Sequence, residues 1–307
     1  MGAGHGHGHG HGHATAGGAH RGRLALVLGL MLAVAVVQVA GAALSGSLAL
    51  LADAGHTVTD SAGVMLALFA VWIAARPPDT RRTFGLQRAE VLAAALNAIL
   101  LFVLCAFIAY EAIERITEPR DVSGPGVMAV AAFGLVVNIA ALLVLRSGQR
   151  ESLNVRGAYL EVMGDAMASV GVIVGGAVIW ATGWSAVDTV ISLIIAAIIV
   201  PRAWSLLRES VHVLLEATPR GVDLQDVRAH MLRQPGVIDV HDLHAWTITS
   251  GVPVLSAHVV VADGHLADAG RMLDELHACL DGHFDVEHST LQLEPAGHAD
   301  HEGARHP

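Results

Sequence analysis

Leu51-Ala-Asp53-Ala-Gly-His56-Thr-Val-Thr-Asp60 and Tyr159-Leu-Glu161-Val-Met-Gly-Asp165 decide how this chain is read. Each stretch lies inside a long apolar segment, and each sets two metal-competent side chains four residues apart. On a helix that spacing is one turn, so both members of a pair share a face. An Asp at the centre of a membrane helix costs roughly 2.5–3.5 kcal/mol on insertion scales. Two such pairs, in two separate apolar segments, point to a metal ion held between helices rather than to incidental charge.

The rest of the composition agrees with a membrane setting. The chain has 307 residues, of which 53% are hydrophobic and only 15% charged. Six apolar segments, at about 23–44, 48–75, 90–113, 125–146, 157–181 and 186–207, are each long enough to cross a hydrocarbon core of about 30 Å. The first is too long for the apolar part of a signal peptide and more spans follow it, so it reads as a membrane helix. The net charge of −10, with no basic cluster, argues against a nucleic-acid partner. The second, third, fifth and sixth segments carry Asp53, His56, Asp60, Glu90, Asn97, Glu161, Asp165 and Asp188. A bundle with polar faces turned inward follows. Glu90 and Asn97 read as interhelical contacts. Asp188 reads as a helix N-terminal residue near the membrane boundary, and Asp53 as a residue of the access path or of a proton route.

Arginines set the expected orientation. Arg21 and Arg23, then Arg76, Arg81, Arg82 and Arg88, then Arg146, Arg150 and Arg156, and finally Arg202 and Arg208 all fall on one side, against Arg115 and Arg120 on the other. The positive-inside rule then places both termini in the cytoplasm of a multi-pass protein. Residues 1–20, with their Gly-His alternation, read as a disordered tail able to gather metal weakly. Residues 21–216 read as the six-helix membrane part.

After Thr218-Pro219 the composition becomes that of a soluble domain, taken as residues 217–295, with a polar tail over 296–307. A helix at 223–233, strands at 236–249 and 252–262, a helix at 266–281 and a strand at 285–294 give the order αββαβ, a small α+β layer domain. If the hairpin turns at Ser250-Gly251-Val252, His244 and His258 stand opposite one another on neighbouring strands. His241 lies on the same strand as His244.

Imidazole nitrogen and carboxylate oxygen both suit a divalent ion such as Zn²⁺, which takes four ligands in a tetrahedron. His56 and Asp60 from one helix and Glu161 and Asp165 from another complete such a set. The motifs around them resemble those of the cation diffusion facilitator family. The carriers are Ser47 to Asp60, Thr83-Phe-Gly-Leu-Gln-Arg-Ala-Glu90, Leu153 to Asp165, Glu209-Ser-Val-His-Val-Leu-Leu-Glu216, Val240-His-Asp-Leu-His-Ala-Trp246 and His288-Ser-Thr-Leu-Gln-Leu-Glu294. The resemblance implies six membrane helices in a bacterial plasma (inner) membrane, a ferredoxin-like cytosolic metal-binding domain, a homodimer, and export of a divalent metal, Zn²⁺ first, in exchange for protons. It marks His241 and His258 as cytosolic ligands, with Gln292 and Glu294 at the positions supplying the rest, and His288 as a further ligand or support.

Two departures from the family pattern stand out. Zinc members usually carry His where this chain has Glu161, and three carboxylates with one imidazole favour harder ions such as Mn²⁺ more than two with two would. Gln87 stands where a His often precedes the Arg, which argues against a metal site in the loop before the third span. Fe²⁺, Co²⁺ and Cd²⁺ are alternative cargoes, and a membrane-anchored metal sensor is the alternative role. No HExxH, GxSxG or phosphate-binding loop occurs, so hydrolase readings have no support in the motifs.

Overall fold

The computed structural model describes residues 13–146, 153–249, 251–284, 286 and 288–298. Six long helices come first: α1 (His13–Ser45), α2 (Leu48–Ala74), α3 (Ala89–Thr117), α4 (Gly124–Leu145), α5 (Leu153–Thr182) and α6 (Ala186–Leu214). They are followed by α7 (Leu224–Met231), β1 (Val237–Thr247), β2 (Pro253–Val261), a 3₁₀ turn over His265–Asp268, α8 (Ala269–Phe284) and β3 (His288–Pro295). All six long helices are apolar and long enough to cross a membrane. The architecture is therefore a six-helix membrane bundle plus a small α+β domain. α1 begins at His13, inside the segment 1–20 that reads as a tail. The Gly-His alternation up to residue 12 lies outside the described residues.

The chain divides into two compact units, Met1–Met65 with Asn97–Trp204, and Leu66–Leu96 with Ser205–Pro307. This division runs through α2, α3 and α6. Polar contacts show why the helix ends go with the second unit: Arg88 pairs with Glu216 at 2.8 Å, and Thr249 donates to Glu90 at 2.7 Å. Glu90 thus meets a residue of the hairpin, not the neighbouring helix expected from its sequence position.

In the first unit the helices pack through small residues. α4 starts at Ser123, whose hydroxyl accepts the N–H of Gly126, with a Pro in the first turn. Its buried face is Gly124, Val127, Ala131, Gly134, Asn138, Ala141 and Leu145, spaced three and four apart. Phe133, Val136, Ile139 and Leu143 on the same helix are exposed and suit lipid contact. A methyl group on Gly124 would stand 2.7 Å from the Gly176 carbonyl oxygen and 2.8 Å from the Trp180 nitrogen. α4 and α5 therefore touch backbone to backbone, which is how membrane helices gain dispersion energy in a solvent as apolar as themselves. Leu48, Leu50, Leu101, Ile108, Val127, Val172 and Ile195 belong to the core of this unit.

In the second unit β1 and β2 are antiparallel and β2 and β3 parallel, in the order β1-β2-β3. A parallel pair needs a crossover, and α8 supplies it. Met272, Leu276 and Leu280 form its inward stripe and join Val227 and Met231 of α7 and Val240, Leu255, Ala257 and Val259 of the sheet in one core. β1 is interrupted between His241 and His244 by a register shift, and Asp242 there has φ 46°.

Candidate metal centre

α2 buries polar residues without breaking because they bond back to its own turns. Thr57 donates to the Asp53 carbonyl at 3.0 Å and Thr59 to that of Gly55 at 2.7 Å. This leaves one face of α2 to present His56 and Asp60. The His56 Nε2 lies 3.3 Å from Asp60 Oδ2 and 4.0 Å from Asp165 Oδ1. The Asp60 and Glu161 carboxyl groups hydrogen-bond to one another. Two carboxyl groups can do so only with a proton between them. His56 and Asp165 are buried, Asp60 and Glu161 half-buried. All four residues picked out by the two i, i+4 patterns thus come together, from α2 and α5, in one unit. Arg202 of α6 lies within electrostatic range of each of them, a positive neighbour that the sequence reading used only for orientation.

Other polar residues of the bundle take structural places. Asn97 packs its amide against Gly63, where an added methyl group would come within 2.6 Å of it, the interhelical contact expected of it. Asp188 stands in the first turn of α6, the helix N-terminal place expected of it, and it is buried, accepting hydrogen bonds from the Ser47 hydroxyl and the N–H groups of Leu48 and Ala49. Asp53 is buried with Gln38 of α1 donating to it.

A second cluster lies in the sheet. His241 and His258 are register partners, with ring centroids 5.1 Å apart. Glu294, fully buried, bridges them: its Oε2 is 3.3 Å from His241 Nε2 and its Oε1 is 2.8 Å from His258 Nδ1. Gln292 donates to the same Oε1 at 2.8 Å, so it orients the carboxylate. Asp242, absent from the sequence reading, stands 3.2 Å from His241 Nδ1, and ligand atoms of His241, Asp242 and His258 lie within 4.8 Å of one another. His244 does not oppose His258. The ladder leaves the turn with Thr247 opposite Pro253, so His244 pairs with Ser256 and is exposed, and the one extra residue bulged at Asp242 then sets His241 against His258. His288 pairs with Val254 at the other end of β3 and lines a cleft with Phe84, His277 and Asp281, away from the cluster. The two imidazoles with the Asp242 carboxylate are donors that suit Zn²⁺, and Glu294 stands against both rings.

Comparison with known proteins places both parts of the chain in one family. Residues 24–215 match the model of the cation efflux transmembrane domain, and residues 219–296 that of the cation efflux protein cytoplasmic domain. The chain belongs to the cation diffusion facilitator family. It is 45% identical to the metal cation efflux system protein CzcD of Cupriavidus metallidurans, over 88% of this chain and 85% of that one. It is 44% identical to the zinc transporter ZitB of Escherichia coli, over 84% and 82%. It is 37% identical to the cadmium, cobalt and zinc/H⁺-K⁺ antiporter of Bacillus subtilis, over 85% of each. The family is one of multi-pass membrane transporters, not enzymes, and the six long helices are its membrane part.

Proposed function

We propose that this cation diffusion facilitator exports a divalent metal, Zn²⁺ in the first place, across a bacterial plasma membrane in exchange for protons. The observation that carries the reading is the convergence of His56, Asp60, Glu161 and Asp165 from α2 and α5. The names of similar proteins support it: CzcD as a metal cation efflux protein, ZitB as a zinc transporter, and the Bacillus protein as an antiporter.

The His56 imidazole and the three carboxylates must be deprotonated to ligate a dication, so metal and protons compete for the same oxygens and nitrogen. Binding from the cytoplasm breaks the Asp60–Glu161 hydrogen bond and releases its proton. When the helices rock to open the other face, protons from outside restore that bond and expel the ion. Arg202 weakens the hold of the anionic cluster on the cation, which favours release. With three carboxylates and one imidazole, the site also accepts harder ions, so Mn²⁺, Fe²⁺, Co²⁺ and Cd²⁺ are the competing cargoes.

The cytosolic cluster of His241, His258, Glu294 and Asp242 holds a resident metal in this reading. That metal would tie β1, β2 and β3 together at one end of the sheet and tighten a homodimer whose termini are cytoplasmic. The test is flux into proteoliposomes that contain a metal-sensitive dye, under an imposed pH gradient. Zn²⁺ should enter with the gradient and stop without it. Asp60→Ala and Asp165→Ala should each abolish entry. Normal flux in either variant removes the four-residue site.

A further inference from the structure

α2 stays apolar to its last residue, Ala74, and gives way to a loop that carries several arginines. Near the end of this helix Phe69 and Trp72 are exposed, their ring centroids 5.9 Å apart. Exposed aromatic rings at the end of a membrane helix sit at the level of the lipid headgroups. The Arg76 guanidinium lies 4.7 Å from the centroid of the Trp72 ring. This cation–π contact fixes one positive charge at that level.

The chain then closes into a small preset loop. Pro77 and Pro78 bar continuation of the helix. Asp79 and Arg82 exchange backbone hydrogen bonds at 3.2 and 3.1 Å. Asp79 Oδ1 also accepts the N–H groups of Arg81 and Arg82, each at 2.7 Å, a turn habit of Asp. Gly85 returns the chain at φ 67°, its N–H donating to the Arg82 carbonyl at 2.8 Å. A methyl group built on Gly85 would stand 3.5 Å from the Arg76 carbonyl oxygen. The stretch from Arg76 to Gly85 therefore comes back on itself, with Arg76, Arg81 and Arg82 all exposed.

Other guanidinium groups have acidic partners: Arg88 has Glu216, Arg115 has Asp188, Arg228 has Asp239 and Arg271 has Glu275. Among the described residues no carboxylate is paired with Arg76, Arg81 or Arg82. The acid of the loop itself, Asp79, serves the backbone. In a chain of net charge −10, this is a local concentration of positive charge beside an interfacial Trp. Orientation of the chain asks only for positive charge on this side of the membrane. It asks neither for a closed loop nor for a guanidinium laid on a ring. Guanidinium takes phosphate oxygens in a bidentate fork, and basic clusters beside a membrane helix attract anionic lipids. A zwitterionic headgroup would bring its own cation against the arginines.

We propose that the α2–α3 loop is a binding site for the headgroup of an anionic phospholipid of the phosphatidylglycerol kind, held by Arg76, Arg81 and Arg82 with Trp72 beside it. The site shares no residue with either metal cluster and does not rest on the transport reading.

The test is native mass spectrometry of the purified full chain in detergent, titrated with dioleoylphosphatidylglycerol or dioleoylphosphatidylcholine, which differ only in the headgroup. Wild type should retain phosphatidylglycerol saturably and in preference to phosphatidylcholine. Arg81→Gln with Arg82→Gln should weaken that retention by about 25-fold, about fivefold for each guanidinium removed from an anionic lipid surface. Arg76→Gln should weaken it by about fivefold. Arg271→Gln, on α8 and outside the loop, controls for the loss of charge alone and should bind as wild type. Should the double variant fail to elute as a monodisperse species, the two single variants give the same reading. Equal retention of the two lipids by wild type overturns the proposal. An undiminished preference in the loop variants overturns it as well and puts the lipid elsewhere on the surface. Inorganic phosphate that displaces the lipid at equal concentration would mark a free anion as the occupant, and the lipid assignment fails.

Discussion

Asp188, in the first turn of α6, caps α2 by accepting the backbone N–H of Leu48. The helix that carries His56 and Asp60 thus draws its N-terminal cap from another helix. The same carboxylate takes the Ser47 hydroxyl and lies 3.3 Å from the Arg115 guanidinium, which also donates to the Gly46 carbonyl at 2.9 Å. α2, α3 and α6 are pinned at this one point. Asp188→Ala leaves orphan helix donors and a largely buried Arg115 that keeps Glu111, at 3.9 Å, but loses its nearer carboxylate. It should lower stability by about 3–5 kcal/mol, the range for breaking one side of a buried ion pair. Thermal unfolding in detergent will read this as a large fall in Tm. Asp188→Asn keeps acceptors for the amides and should fall less. Equal stability of Asp188→Ala and wild type would show that the cap carries no weight.

That contact also marks what sequence reasoning reaches. The six spans were legible because a helix that crosses lipid must be long and apolar, and nothing else in the chain is. The meeting of His56, Asp60, Glu161 and Asp165 was legible because i, i+4 spacing survives translation into structure with no further information. The role of Asp188 was not, since a cap supplied from a different helix leaves no local spacing to read. The sheet failed differently. Pairing His244 with His258 assumed a turn centred on Gly251, but the ladder leaves the turn with Thr247 opposite Pro253, two residues off. Beyond His244 the bulge with Asp242 at φ 46° shifts the register again and sets His241 against His258. Asp242 itself entered the cluster through that shift, and its one sequence-level trace is its position between two histidines of a strand.

The close approach of α4 and α5 makes a sharp steric prediction. A methyl group at Gly124 would meet backbone atoms of Gly176 and Trp180, which cannot swing aside as a flexible side chain can. Gly124→Ala should push the helices apart and forfeit contacts along their shared seam. The expected outcome is a strongly reduced yield of monodisperse protein and a lower Tm, with Gly171→Ala as control. Gly171 has nothing within 4 Å of its added methyl, so that variant should behave as wild type.

Removal of metal from the cytosolic cluster should be visible as stability. A ligand that binds only the folded state adds about 2.7 kcal/mol at a hundredfold excess over Kd. Zn²⁺ should therefore raise the Tm of the wild-type chain, and a chelator should reverse it. Glu294→Gln removes the one carboxylate that reaches both His241 and His258, and should abolish most of the gain while metal flux through the bundle persists. A gain that survives in Glu294→Gln would place the stabilising metal elsewhere.

Glu161→His tests the choice of ion. The substitution returns the set to two imidazoles and two carboxylates, a softer donor group. Competition between Zn²⁺ and Mn²⁺ in proteoliposomes should move towards Zn²⁺ by about tenfold, equivalent to about 1.4 kcal/mol. An unchanged ratio would mean that Glu161 does not discriminate between the two.

The Asp60–Glu161 hydrogen bond fixes the sign of the pH dependence. Its proton must leave before both carboxylates can ligate, so metal affinity rises with pH, by about tenfold per unit for each proton displaced over the range where that proton is held. Glu161→Gln retains a hydrogen-bond donor towards Asp60 but has no proton to release. Calorimetric titration with Zn²⁺ in buffers of different ionisation enthalpy counts protons released per ion. Wild type should release about one more than Glu161→Gln at the same pH, and the slope of affinity against pH should be shallower in the variant by the same amount. The cytosolic cluster would add its own protons to the count, so both proteins should carry Glu294→Gln as background. Identical proton release with and without Glu161 would sever the link between this hydrogen bond and proton exchange.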